Sequence, residues 1–186
     1  MNPLLWQIPA DLPVRLFFAV RPDAGASATI AKLGERLRQA HRLKGRAIAR
    51  DRLHSTLLPV SGSLPLEEAV ARAKQAAGRI LHRHFRLRLE WSQGFDCGQV
   101  RYPLVLGGGD GLSPLTALRQ ELAATMRQAG FAVPQSFTPH VTLLWADRCV
   151  EENPIAPVEW QVTDFVLTLS LEGLSRHIHL GRWPLD

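Results

Sequence analysis

Two short phrases hold the residues with the clearest chemical potential: His54-Ser55-Thr56-Leu57 and, in the second half of the chain, His140-Val141-Thr142-Leu143. In both, His and Thr are fixed and one free residue stands between them. Imidazole titrates near pH 6.5, so at neutral pH one histidine can hold a proton while another lacks it, which makes a general acid and a general base. A threonine hydroxyl donates to a non-bridging phosphate oxygen, and its branched Cβ keeps the side chain stiff. In an extended strand residues i and i+2 share a face, so His54 is expected beside Thr56 and His140 beside Thr142. If the two strands lie together, or face each other across a cleft, two imidazoles and two hydroxyls converge. That inventory suits in-line displacement at phosphorus. One such phrase occurs often by chance, and a pair of incidental half-buried histidines is the bland alternative. Two phrases in apolar, strand-like surroundings, each with a trailing Leu, argue against it.

The elements that must carry these phrases follow from periodicity. Val14 to Val20 is apolar and β-prone, and Pro22-Asp23 opens a helical segment to about Gln39. The first phrase sits in a strand-like run, Leu53 to Leu58. Leu66 to about Leu81 has helical spacing, Phe85 to Trp91 alternates apolar and charged residues, and Tyr102 to Leu106 reads as a short strand. The glycine run Gly107 to Gly111 lacks the Lys-Ser/Thr ending of a phosphate-binding loop and reads as a turn. Ser113 as N-cap, Pro114 at the first helical position and Gly130 past the end bracket a third helix, with Leu115, Leu118, Leu122 and Met126 on one face. In the second phrase's strand Val141, Leu143 and Trp145 are expected on the face away from His140, packed against a helix. Glu159 to about Leu171 and Ser175 to Trp183 read as two strands, a closing hairpin or neighbours in one sheet. The pattern is α+β or mixed α/β, with one His-x-Thr strand per half and little other internal repetition.

Composition narrows the function classes. The 186 residues are 46% hydrophobic and 21% charged, an ordinary soluble balance, with no run near the roughly 18 apolar residues of a membrane helix. The start, MNPLLWQIPADLP, has no basic leader region and is broken by prolines, so a cytoplasmic protein is expected. Cys97 and Cys149 make neither a disulfide framework nor a paired metal motif. There is no Asp-x-Asp and no HExxH, so a metal phosphatase is not indicated. His82-x-His84 and His177-x-His179 could each offer two ligands from a strand but lack a carboxylate nearby in sequence, and they read as partly exposed strand histidines. The net charge of +5 favours an anionic partner such as a nucleic acid or a nucleotide. The basic run Arg36, Arg38, Arg42, Lys44, Arg46, Arg50, Arg52 reads as a solvated helix face and loop.

Taken together these residues resemble the 2H phosphoesterase superfamily, specifically the RNA 2′,3′-cyclic phosphodiesterases formerly called 2′-5′ RNA ligases. The likeness runs the length of the chain: Arg15-Leu16-Phe17-Phe18-Ala19-Val20 is similar to the family's first strand, Asp51-Arg52-Leu53-His54-Ser55-Thr56-Leu57 to its first motif, and Arg182-Trp183-Pro184-Leu185 to its last strand. Phe137-Thr138-Pro139-His140-Val141-Thr142-Leu143 resembles its second motif and is the most specific stretch. The resemblance implies one bilobal, pseudo-twofold α+β domain over residues 1–186, with two antiparallel sheets lining a central groove and helices outside. It implies a monomer without cofactor or metal that opens the 2′,3′-cyclic phosphate end of RNA or a nucleotide to a 2′-phosphate. His54 would protonate the leaving 3′ oxygen, His140 would activate water, and Thr56 and Thr142 would hold phosphate oxygens. A near-symmetric site can also run in reverse and join 2′-5′ bonds. Cleavage of 2′-5′ linkages, opening of a nucleotide metabolite, and a non-catalytic nucleotide- or RNA-binding module are the other readings. Three departures stand out. Leu58-Pro59-Val60 follows the first motif, and the proline is expected to end or bend the strand. Leu144-Trp145 stands where many members have Ala-Arg, so a positive charge near the phosphate is missing unless Arg148 or an arginine of the 36–52 run supplies it. His177 falls where the family often has Tyr.

Overall fold

The computed structural model describes residues 12–95 and 101–186; the first eleven residues, on which most of the reading of the N-terminus rests, and Cys97 lie outside the described residues. In chain order the elements are β1 (Val14–Val20), α1 (Ala24–Ala40), β2 (Ser55–Val60), α2 (Leu66–Ala77), β3 (Phe85–Gly94), β4 (Tyr102–Gly107), α3 (Ser113–Gln128), β5 (Val141–Ala146), β6 (Asn153–Val162), β7 (Asp164–Leu171) and β8 (Arg176–Pro184). Among the described residues they form two antiparallel four-stranded sheets, ordered β2-β1-β7-β8 and β5-β4-β3-β6. The orders correspond: a motif strand occupies the edge of each sheet and pairs with β1 in one and β4 in the other. The result is the expected α+β fold of two matched sheets with helices packed on them.

Local sequence accounts for most boundaries. Asp23 caps α1 by accepting from the Ala26 amide at 2.8 Å. After α3 the chain turns at Gly130 with φ 87°, a left-handed conformation that glycine adopts without strain. In β3, Phe85, Leu87 and Leu89 are buried while Arg86 and Arg88 are exposed, so the alternating pattern marks one inward face. One large core joins Phe18 of β1, Leu167 and Leu169 of β7, Leu87 and Leu89 of β3, Leu104 and Leu106 of β4 and the α3 leucines. Full burial of each such side chain contributes about 1.5–3 kcal/mol.

Several boundaries differ from expectation. α2 stops at Ala77, not near Leu81, with Gly78 at its C-cap. Ser113 is already helical, because Asp110–Leu112 form a short 3₁₀ turn that puts Leu112 in the cap position. The run from Glu159 to Leu171 is not one strand. β6 ends at Val162 in one sheet and β7 begins at Asp164 in the other, so the chain crosses between sheets at Thr163 without a Gly or Pro to announce it. The closing hairpin is β7–β8.

The two halves are also interlocked. α1, which follows a strand of the first sheet, packs on β5 and β6 of the second, while α3, which leads into β5, packs on β2. The chain preceding each motif strand crosses over as well: Ala47 bridges to Leu144 beside β5, and Ala132 bridges to Ser61 beyond β2. Both motif strands are thereby held by the opposite half, and β2 and β5 approach each other.

Candidate active site

Each motif histidine sits one residue before its strand, His54 ahead of β2 and His140 ahead of β5, not inside it as the extended pattern suggested. The placement is supported twice by the same hydrogen bond. His54 Nδ1 lies 2.7 Å from the Arg52 carbonyl oxygen and His140 Nδ1 lies 2.7 Å from the Thr138 carbonyl oxygen. A carbonyl can only accept, so in both rings Nδ1 donates, and the neutral tautomer leaves Nε2 with a free lone pair. His54, Thr56, His140 and Thr142 all line one groove of about 740 Å³ between the edge strands. The structure therefore brings together all four residues singled out by spacing.

The motif strands share a second device. The pairing of β1 with β2 steps from Phe18↔Leu58 to Ala19↔Thr56, and that of β4 with β5 from Leu104↔Leu144 to Val105↔Thr142. Leu57 and Leu143, the trailing leucines of the two phrases, are thus left over as β-bulge residues. One extra residue inverts the alternation beyond it. Pro59 and Trp145 consequently line the groove with the threonines. Trp145 does not join Val141 and Leu143 on the helix-packed face: it is 38% exposed. Pro59 does not end β2, which continues to Val60. β2 is an edge strand, where a proline's missing N–H disturbs the ladder least, and the irregularity falls at Leu57 instead.

Strand pairing adds residues that sequence spacing did not reveal. Phe17, which reads as one more apolar residue of β1, lies on the groove face and stacks on His54 with ring centroids 5.0 Å apart. His177 of β8, opposite Ser170, meets both His54 at 5.3 Å and Phe17 at 5.7 Å edge-on. Phe95 meets His140 edge-on at 5.2 Å. Of the basic run only Arg52 lines the groove. Arg38 pairs with Glu35, Arg50 donates to the Ala24 carbonyl, and Arg148 donates to the Arg42 carbonyl outside the groove lining. His82 and His84 precede β3 and are not strand residues; His82 pairs with Glu121 at 2.9 Å, a carboxylate near only in space. Among the described residues no three His, Cys, Asp or Glu side chains gather as metal ligands.

Burial holds both motif histidines below the usual imidazole range. At His54 the Arg52 carbonyl opposes the shift, and the positive charges of His140, Arg21 and Arg52 add to it. At His140 burial acts against the Thr138 carbonyl alone. His177 is pushed down to about 4, first by burial and then by His54, Arg52 and His179. All three imidazoles are thereby biased toward their neutral forms.

The model of the 2'-5' RNA ligase superfamily matches residues 23–183. Among solved structures, E. coli LigT complexed with 3'-AMP is 30% identical with a TM-score of 0.74, over 94% of this chain and 99% of that one. A further phosphoesterase is 29% identical with a TM-score of 0.71, again over 94% and 99%. TT0787 of Thermus thermophilus, at 23% identity and a TM-score of 0.67 over 92% and 97%, bears on the fold alone. No curated protein matches the sequence.

Proposed function

The chain belongs to the 2'-5' RNA ligase superfamily, and from that membership we propose that it hydrolyses 2′,3′-cyclic phosphate ends of RNA or nucleotides to 2′-phosphates. The observation that carries the proposal is the matched anchoring of two imidazoles, Nδ1 to carbonyl in each, at one groove that also holds both threonines. The complexes of LigT with 3'-AMP, ATP, NADP+ and phosphate support a nucleotide-sized phosphate ligand in this fold.

In this mechanism water attacks phosphorus in line with the bond to the 3′ oxygen. His140 Nε2 takes the water proton, the P–O3′ bond breaks, and His54 Nε2–H gives its proton to the departing 3′ oxygen. Two protons move, one at each end of the displacement, and a 2′-phosphate with a free 3′ hydroxyl remains. Thr56 and Thr142 donate to the non-bridging oxygens, and Arg52 supplies the positive charge that Arg148 does not. Of the two motif histidines, His54 has more positive neighbours opposing its proton. A bound phosphate reverses that balance, so the acid is charged only when substrate is present.

The experiment is incubation, in EDTA, with a short RNA ending in a 2′,3′-cyclic phosphate, followed by identification of the terminal phosphate. A 2′-phosphate is expected. An untouched end with folded protein contradicts the proposal, and a 2′-5′-joined product or turnover of mononucleotides alone reassigns the reaction.

A further inference from the structure

Besides Phe17, which stacks on His54, the groove is lined by a second large aromatic side chain, Trp145, that proton transfer and phosphate binding leave unused. Trp145 reaches it only because the bulge at Leu143 inverts the alternation of β5. Its counterpart beyond the bulge at Leu57 is Pro59, and Ile48 adds a third apolar wall. The groove lining is therefore mixed: beside Arg52, the motif histidines and the threonines it carries apolar side chains that include Trp145, Pro59 and Ile48.

The Trp145 position is also held in place. The loop before β2 runs along the outer edge of β5: Lys44 donates its amide to Asp147 Oδ1 at 2.8 Å, Ala47 bridges to Leu144, and the Ile48 amide donates to the Leu143 carbonyl at 2.7 Å. Gly45, with φ 131°, lies so close to the Trp145 carbonyl that any Cβ there would collide with it. A half-exposed indole on a braced strand, next to groups that suit a phosphate, offers a preformed π-face, and every nucleobase has a π-face to match.

Building on the cyclic phosphodiesterase reading, we propose that Trp145 is the nucleobase platform of the groove: the base of the terminal nucleotide stacks on its indole, with Pro59 and Ile48 around it. The larger ring system of a purine covers more of the indole than a pyrimidine does, so purine ends are preferred.

The test compares the wild type with Trp145→Ala and Trp145→Phe, all shown to be folded by their melting curves. The substrates are adenosine 2′,3′-cyclic phosphate, its uridine analogue and the base-free 1-O-methylribose 2,3-cyclic phosphate. Direct binding of adenosine 2′-phosphate is measured in parallel. Loss of the indole is expected to raise KM and the adenosine 2′-phosphate Kd about tenfold, with kcat changed far less and a smaller effect for uridine. Phe is expected to restore most of the loss, and the penalty is confined to ligands that carry a base. Equal penalties with the base-free substrate, or a nucleotide Kd insensitive to Trp145→Ala, overturn the proposal. If no cyclic phosphate is turned over, the reaction assignment fails by itself. The binding arm then still decides: a weakened Kd in Trp145→Ala supports the platform, and an unchanged or unmeasurable one refutes it.

Discussion

His54 and His140 each donate Nδ1–H to a carbonyl two residues back, which leaves Nε2 as the ring nitrogen for chemistry. The same short bond makes a strand-edge histidine a rigid acid or base, because ring rotation would break it. At His54 burial and three positive neighbours disfavour the proton. Binding of a phosphate anion opposes those charges, so proton uptake must accompany it. Calorimetry with adenosine 2′-phosphate near pH 6.5, in buffers of different ionisation enthalpy, is expected to show net proton uptake that shrinks in His54→Gln. Uptake unchanged by that substitution would mean that the proton goes elsewhere. At this scale the sequence was informative about the four paired residues, since type and spacing name them directly. It did not point to Phe17 and named His177 only as a strand histidine standing where the family often has Tyr; both reach His54 only through the pairing of β1 with β2 and β7 and of β7 with β8.

The β-bulges at Leu57 and Leu143 do for the elements what anchoring does for the rings. Each turns the residue two places further on toward the groove, and each follows directly on a threonine that must face the same way. Bulges re-aim side chains beside active sites by this means. The one at Leu143 is braced by the loop through Gly45. Gly45→Ala combines a left-handed φ with a backbone collision and is expected to cost about 1–3 kcal/mol, read as a lower midpoint in urea. Nucleotide binding should weaken in the same variant because Trp145 shifts. A wild-type midpoint and affinity would show that the loop does not brace the strand. Helices and strands were legible from periodicity, but a bulge inserts one residue without changing composition. Strict alternation for that reason places Trp145 on the face away from the groove, and the crossing at Thr163 has no Gly or Pro to mark it.

For the molecule as a whole, two matched sheets interlocked by exchanged helices and loops place the motif strands at adjoining edges. Paired phrases implied that architecture, whereas the interlocking left no local signature. Burying a cluster of histidines at the junction also makes stability depend on pH. In the unfolded chain His177 protonates near 6.5, while in the fold it resists protonation until about 4. Its contribution is complete above pH 6.5 and is lost as pH falls toward 4. The melting temperature should accordingly fall over that interval, and less steeply in His177→Gln; equal slopes would place the dependence in other groups. The central claim is that the two anchored histidines act as one acid–base pair, and the pH profile of kcat/KM on a cyclic-phosphate-ended RNA tests it most directly. Because both imidazoles lie below their usual range, the wild type should give a bell with its maximum below pH 6.5, whose limbs belong to the pair. His54→Ala and His140→Ala should each lose on the order of 10²-fold or more. Either variant retaining full activity with the bell intact would contradict the account.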